Sequence, residues 1–180
     1  MNTVDCIKTR RSIRKFADKE VCAETIAEIV ATAAYAPSWK NSQTTRYIAM
    51  LDRELKAKLA TECMVGFEYN IGTASGAPAM VVVTTVNNRS GYERDGSATT
   101  SKGTHWQSFD AGIATQTFCL AAHEAGLGTV IMGIFDENKV AEVVGLPEGQ
   151  SVSALIAIGY PADEPAAPKR KSAEELLTIK

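Results

Sequence analysis

Lys8, Arg10, Arg11, Arg14 and Lys15 place five cations within eight residues, and no acid interrupts the run before Asp18. Lys169, Arg170 and Lys171 add three more near the other end of the chain. These two patches hold eight of the nineteen Lys and Arg residues in a chain of formal net charge -2. Positive charge concentrated in this way is what a single anion pocket needs. Arg offers a phosphate a forked pair of donors, and Ser12 adds a hydroxyl. Two unrelated solvated charge runs would leave the same composition, so the pocket is one of two readings.

Other constellations fail on inspection. Gly126-Leu127-Gly128 has the start of a dinucleotide fingerprint, but Ile131 stands where the third glycine belongs, and the strand follows the glycines instead of preceding them. Gly91 and Gly96 have phosphate-loop spacing, yet Ser97 replaces the lysine. His123-Glu124 leads into Gly126 and Leu127, so it is no H-E-x-x-H zinc helix, and there is no G-x-S-x-G. Cys119 and His123 share a helix face at i, i+4, where a thiolate–imidazole pair is conceivable and a buried thiol beside a partly exposed ring is the plainer reading. Cys6, Cys22, Cys63 and Cys119 form no C-x-x-C pair, which excludes the usual iron–sulfur and zinc-ribbon patterns; reduced, mostly buried thiols are expected. No metal site is expected. With two histidines in the chain, an enzyme built on it would leave the chemistry to a cofactor.

The elements that must position these residues alternate between helix and strand. A short helix is expected at 3–9. Ile26, Ile29, Val30, Ala33 and Ala34 form one apolar stripe of a helix that Pro37 stops. Ser38 to Thr45 reads as an ordered polar loop, Arg46 to Leu51 as a strand, and Asp52 as the cap of a helix through about Glu62. Ala79 to Val86 is nearly all apolar, which predicts a strand covered on both faces. Asn87 to Gln107 shows no clear element, and such loops are often functional lids. Asp110 to Ala125 is apolar nearly all round and is expected at the centre of the domain. Strands at 129–135 and 152–160 flank a helix capped by Asp136 and ended by Gly145. Ser172 to Glu175 is a capping box.

At 180 residues and 19.3 kDa the chain is expected to be a single α/β or α+β domain with no internal repeat. A nucleic-acid or membrane-surface protein would carry a basic excess, so neither partner is expected. No apolar run approaches the roughly 18 residues of a membrane span. MNTVDCIKTRRS has no apolar signal core, and a cytoplasmic location is expected.

Four blocks taken together resemble the nitroreductase-like flavoprotein family. Arg10-Arg11-Ser12-Ile13-Arg14-Lys15-Phe16 is similar to its R-R-S-x-R-x-F opening. Ala36-Pro37-Ser38-Trp39-Lys40-Asn41-Ser42-Gln43 is similar to its A-P-S-x-x-N-x-Q loop. Asp110 to Gln116, running on to Gly126-Leu127-Gly128, resembles its central helix and exit. Gly159-Tyr160-Pro161, Lys169-Arg170-Lys171 and Glu174-Glu175-Leu176 complete the order. Thr44 and Thr45 depart from the Pro and aromatic that often follow the glutamine, and Ser172 from a common proline. Many relatives also carry a longer tail that wraps the partner.

The resemblance implies a three-layer fold, with a mixed, mostly antiparallel central sheet flanked by helices. It implies FMN as cofactor, NADH or NADPH as electron donor, and a homodimer with two sites at the subunit interface. Carried over by position, Arg10, Ser12 and Arg14 would bind the FMN phosphate and ribityl chain, with Arg11 beside them. Lys169 and Lys171 would clamp the phosphate, and Arg170 would share that role. Pro37, Ser38, Trp39 and Asn41 would reach the flavin from the partner. The backbone at Met132-Gly133 would lie along the ring, and no side chain would serve as a catalytic acid or base. The expected reaction is ping-pong hydride transfer to a nitroaromatic, quinone or similar acceptor. Reductive dehalogenation, flavin breakdown and a non-catalytic binding role are the alternatives.

Overall fold

The computed structural model describes all of residues 1–180. Four strands form one sheet in the order β1-β2-β4-β3, with β1 at Thr45–Met50, β2 at Ala79–Val86, β3 at Gly128–Met132 and β4 at Gln150–Gly159. Every pair of these strands is antiparallel. One parallel bridge, Ser12 to Thr129, lays the basic segment along the outer edge of β3, so the sheet is mixed in the sense expected.

Alternation along the strands separates two cores. On one face Val81, Val83, Ile156 and Ile158 pack with Ile26, Ile29 and Ala33 of α2 (Ala23–Ala33) and with Phe118, Cys119 and Ala122 of α5 (His105–Glu124). On the other, Met80, Val82, Leu155 and Met132 pack with Leu59, Cys63, Ala74 and Val140. Those residues come from the turn after α3 (Arg53–Lys58), from α4 (Glu68–Gly76) and from α6 (Glu137–Val144). The result is three layers, helix on sheet on helix. β2 is buried on both faces, as its apolar run predicts. No helix is long and apolar enough to cross a membrane.

Caps account for several boundaries. Asn2 caps α1 (Thr3–Thr9) by accepting from the Asp5 N–H, and Asp52 caps α3 through the Leu55 N–H. Asp136 accepts from Asn138 and Lys139 at the start of α6, which Gly145 ends in the left-handed region at φ 59°. Ser172 and Glu175 form both bonds of the capping box that opens α7 (Ala173–Leu176).

Four expectations need correction. The helix after Asp52 ends at Lys58 and widens into a π-type turn at Leu59–Cys63. α4 appears where no helix is predicted, because EYNIGTASG holds two glycines and little apolar periodicity. β3 stops at Met132, not Phe135. α5 begins at His105, and one side of it is open: Phe109 is 59% exposed, with Gly112 and Gln116 on the same side.

Candidate functional site

The basic segment is extended, so alternate residues face opposite ways. Ile13 donates its N–H to the Thr129 carbonyl at 3.0 Å and is buried against Gly128. Arg11 goes with it. Its guanidinium donates to the carbonyls of Lys8 and Arg10 at 2.6 and 2.9 Å, and it lines a hollow with His123, Pro161, Asp163 and Glu164. Arg14 belongs to the opposite set. It lies 5.9 Å from the centre of the Tyr69 ring and opens onto a hollow with Lys15, Glu68, Gly72 and Thr73. The structure therefore separates Arg11 from Arg14.

The chain has two ion pairs, the N-terminus with Glu124 and Lys40 with Glu93. None of the eight clustered cations is paired with a carboxylate. Beyond Thr129, the outer edge of β3 has no strand partner. Ile131 and Ile134 are about half exposed there, at 46% and 50%. A Cβ on Gly133 would meet nothing within 4 Å, so packing within the protomer does not require glycine at this position. Met132 itself is buried. A hollow of about 650 Å³ opens beside the strand, lined in part by Ile131, Gln107, Thr115 and Ser153.

Pro37 to Gln43 lies before β1, at the other edge of the sheet. Three of its non-glycine residues are left-handed: Lys40 at φ 46°, Asn41 at 53° and Gln43 at 46°. Each such residue costs on the order of 1 kcal/mol or more and persists only where its surroundings hold it. Here Ser38 Oγ accepts the Gln43 N–H at 2.9 Å, and the Trp39 N–H donates to Asp110 at 2.9 Å. The Trp39 ring lies 4.8 Å from that of Trp106, which meets Phe109 edge-on at 5.6 Å. Asn41 is exposed. Trp39 Nε1, Ser42 Oγ and Thr44 Oγ1 are buried without partners, an expensive state for a loop complete in itself.

The sequence profile of the Nitroreductase family matches residues 7–75 and 68–160. The chain belongs to that family. It is 31% identical over 167 residues to a protein of Archaeoglobus fulgidus provisionally named NADH dehydrogenase/NAD(P)H nitroreductase, covering 89% of this chain and 87% of that one. Among solved structures it is similar to an FMN-dependent nitroreductase of Clostridium difficile R20291, with 27% identity, a TM-score of 0.78 and 98% of each chain covered. A nitroreductase family protein of Streptococcus pneumoniae TIGR4 shares the fold at a TM-score of 0.86 and 22% identity, over 99% of this chain and 100% of that one.

Within this nitroreductase fold, the second cation patch lies on the tail that leaves β4. The tail starts beside the first patch, where the Ala162 N–H donates to the Lys15 carbonyl at 3.0 Å and Pro161 bridges Phe16. Lys169, Arg170 and Lys171 follow on an exposed stretch. Cys119 and His123 do not pair. Cys119 is 1% exposed, and burial pushes its thiol up. The His123 Nε2 meets Thr9 Oγ1 at 2.9 Å; burial, then Arg10, holds its pKa below the ordinary value. Cys6 and Cys63 are also buried and Cys22 is exposed, so the thiols are free and mostly buried, as expected. The sequence reading misses Tyr69, Ser90, Trp106 and Asp110. An acid at the head of the apolar run of α5 is the signal for the last.

Proposed function

We propose that this chain is a cytoplasmic, NAD(P)H-dependent FMN oxidoreductase, acting as a homodimer with shared active sites. Its acceptor would be a nitroaromatic, quinone or similar small electrophile. The observation that carries this reading is the pair Arg10 and Arg14, free of carboxylates and flanking Ser12 on the open edge of β3. Those groups suit a terminal phosphate and a polyol chain. The exposed Gly133, with Ile131 and Ile134 beside it, suits the edge and face of a flat ring. Lys169 and Lys171, with Arg170, would close on the phosphate from the tail.

When bound, FMN would supply the redox chemistry, accepting hydride from NADH or NADPH and passing it to the acceptor in ping-pong turnover. The protein's part is to hold the ring, aim backbone N–H groups and cations at its electron-rich edge, and leave one face open. No dedicated acid or base is needed. Tyr47, pushed up to about 12 by burial, serves as a donor to the Ala114 carbonyl at 3.3 Å and not as a proton source.

Sheet geometry supports a shared site. Strands about 4.8 Å apart put the edges of a four-stranded sheet about 14 Å from each other. Ser12 and Gly133 lie at the β3 edge, whereas Pro37, Ser38, Trp39 and Asn41 lie at the β1 edge. One protomer therefore supplies the two groups to different places, and a second copy would bring them together. The open side of α5 is a surface such a copy could cover.

Heat release of the bound ligand followed by chromatography is expected to yield FMN, since no dinucleotide fingerprint is present to cradle a pyrophosphate. FAD as the main species, or no flavin, would overturn the reading. Light scattering is expected to give a dimer; a monomer carrying stoichiometric flavin would defeat the shared site.

A further expectation concerns Cys119 and His123. Cys119→Ser and His123→Gln are expected to keep the rate of flavin bleaching by NADH or NADPH within about tenfold, or 1.4 kcal/mol in barrier. Cys119→Ser will lower stability, by about 1–3 kcal/mol if its hydroxyl stays unpaired. Stopped-flow measurement on FMN-loaded variants checks the rate, and a loss of several hundredfold would give the pair a catalytic role.

A further inference from the structure

Asp110 lies in the first half of α5 and is 3% exposed. A carboxylate withdrawn from water is costly unless it is well hydrogen-bonded. Its Oδ2 takes two donors, the Trp39 N–H at 2.9 Å and the Ser90 hydroxyl at 2.6 Å. Those donors come from two separate segments, the loop before β1 and the irregular stretch before α5. The same two segments meet again where Lys40 pairs with Glu93 at 3.1 Å, and the loop meets α5 again where Trp39 lies against Trp106. Glu93 is held below the ordinary carboxylate range by the Thr99 hydroxyl, and next by Lys40. The Lys40–Glu93 pair is solvent-exposed and contributes little to fixing the loop. Asp110 is the buried contact of the set.

We infer that Asp110 is a positioning residue: its carboxylate binds the Pro37–Gln43 loop and the segment around Ser90 to α5 as one unit, and so presents Ser38 and Asn41 to the flavin of the neighbouring subunit. This rests on the function proposed above. The left-handed backbone at Lys40, Asn41 and Gln43 needs an external anchor. Asp110 provides it at Trp39, one residue before the first strained position. One oxygen accepts both donors, so a single side chain ties both segments to α5. Asp110 also lines a hollow of about 300 Å³ with Pro37, Ser38, Gln43 and Tyr47, so its loss would open the floor beneath the loop.

The chain's two tryptophans, Trp39 and Trp106, both lie at this junction. Tryptophan emission of the apoprotein therefore reports the anchor without any cofactor. Asp110→Ala is expected to shift that emission to the red and weaken FMN binding about tenfold, read by quenching of flavin fluorescence. Ser90→Ala, which removes one donor, is expected to act in the same direction by about threefold. Asp110→Asn keeps an oxygen acceptor in place and should bind FMN within about threefold of the parent, with unshifted emission. If Asp110→Ala does not fold, Ser90→Ala decides: unchanged emission and affinity would overturn the inference. So would an Asp110→Asn protein as weak as Asp110→Ala, because charge and not positioning would then be responsible. A parent protein that binds no FMN would defeat the proposed function instead, while the emission of the variants would still report on the anchor.

Discussion

Neutralising Arg10 and Arg14 together is expected to weaken FMN binding at least a hundredfold. Neither guanidinium has a carboxylate partner to satisfy it in the protomer. A hydrogen bond to a charged group contributes about 1.5–3 kcal/mol. Losing two therefore removes about 3 kcal/mol or more, and each 1.4 kcal/mol is tenfold. Folding should survive, since Arg14 is exposed and Arg10 is half-buried without an ion pair. Lys8→Ala, in the last turn of α1, is the matched control and should change affinity by less than threefold. Titration of the apoprotein with FMN measures all three. Equal affinity in the double variant would remove both arginines from the site. A second readout needs no flavin: Arg10 is among the groups holding His123 low, so the ring should titrate at higher pH in the double variant, as proton NMR of its C–H signals would show.

That Arg11 and Arg14 face opposite ways was within reach of the sequence. Ile13 is the apolar residue in a run of cations, and period-two reading around it puts Arg11 on its side and Ser12 on the other. What the sequence could not supply was the partner for that side, because the bridge to Thr129 spans most of the chain. The strands and the capped helices were legible, since apolar period and cap chemistry are local signals. α4 was not, because its helix is held by burial of Asn70, Thr73 and Ala74 and not by propensity. α5 was half legible. Its apolar composition on all sides predicts burial within one domain, whereas one side is open in the protomer. Asp110 opens that apolar run, and a buried carboxylate at such a position marks a specific demand, here two donors from loops 71 and 20 residues away.

Gly128→Ala is expected to damage flavin binding by displacing Ile13. A Cβ built on Gly128 would lie 2.5 Å from Ile13 Cγ1 and 2.6 Å from Ile13 Cβ. The second atom is fixed to the backbone, so rotation of the Ile13 side chain cannot relieve the clash. The basic segment itself must move, and the bond from the Ile13 N–H to Thr129 must stretch or break. Overpacking of this kind costs about 1–3 kcal/mol. Ser12 and Arg14 flank the displaced residue directly and Arg10 lies three residues before it, so much of that cost should appear in binding. FMN affinity is expected to fall about thirtyfold, or 2 kcal/mol. Gly126→Ala supplies the contrast. Gly126 is left-handed at φ 79° with open space around its Cβ position, so alanine there strains the turn after α5 without pressing on Ile13. That variant should lose about 1 kcal/mol of stability and keep its flavin affinity within threefold. Denaturant unfolding and FMN titration of both variants separate the two effects. If Gly128→Ala binds FMN like the parent, the position of Ser12 and its flanking arginines is not set by the close approach of Ile13 to β3.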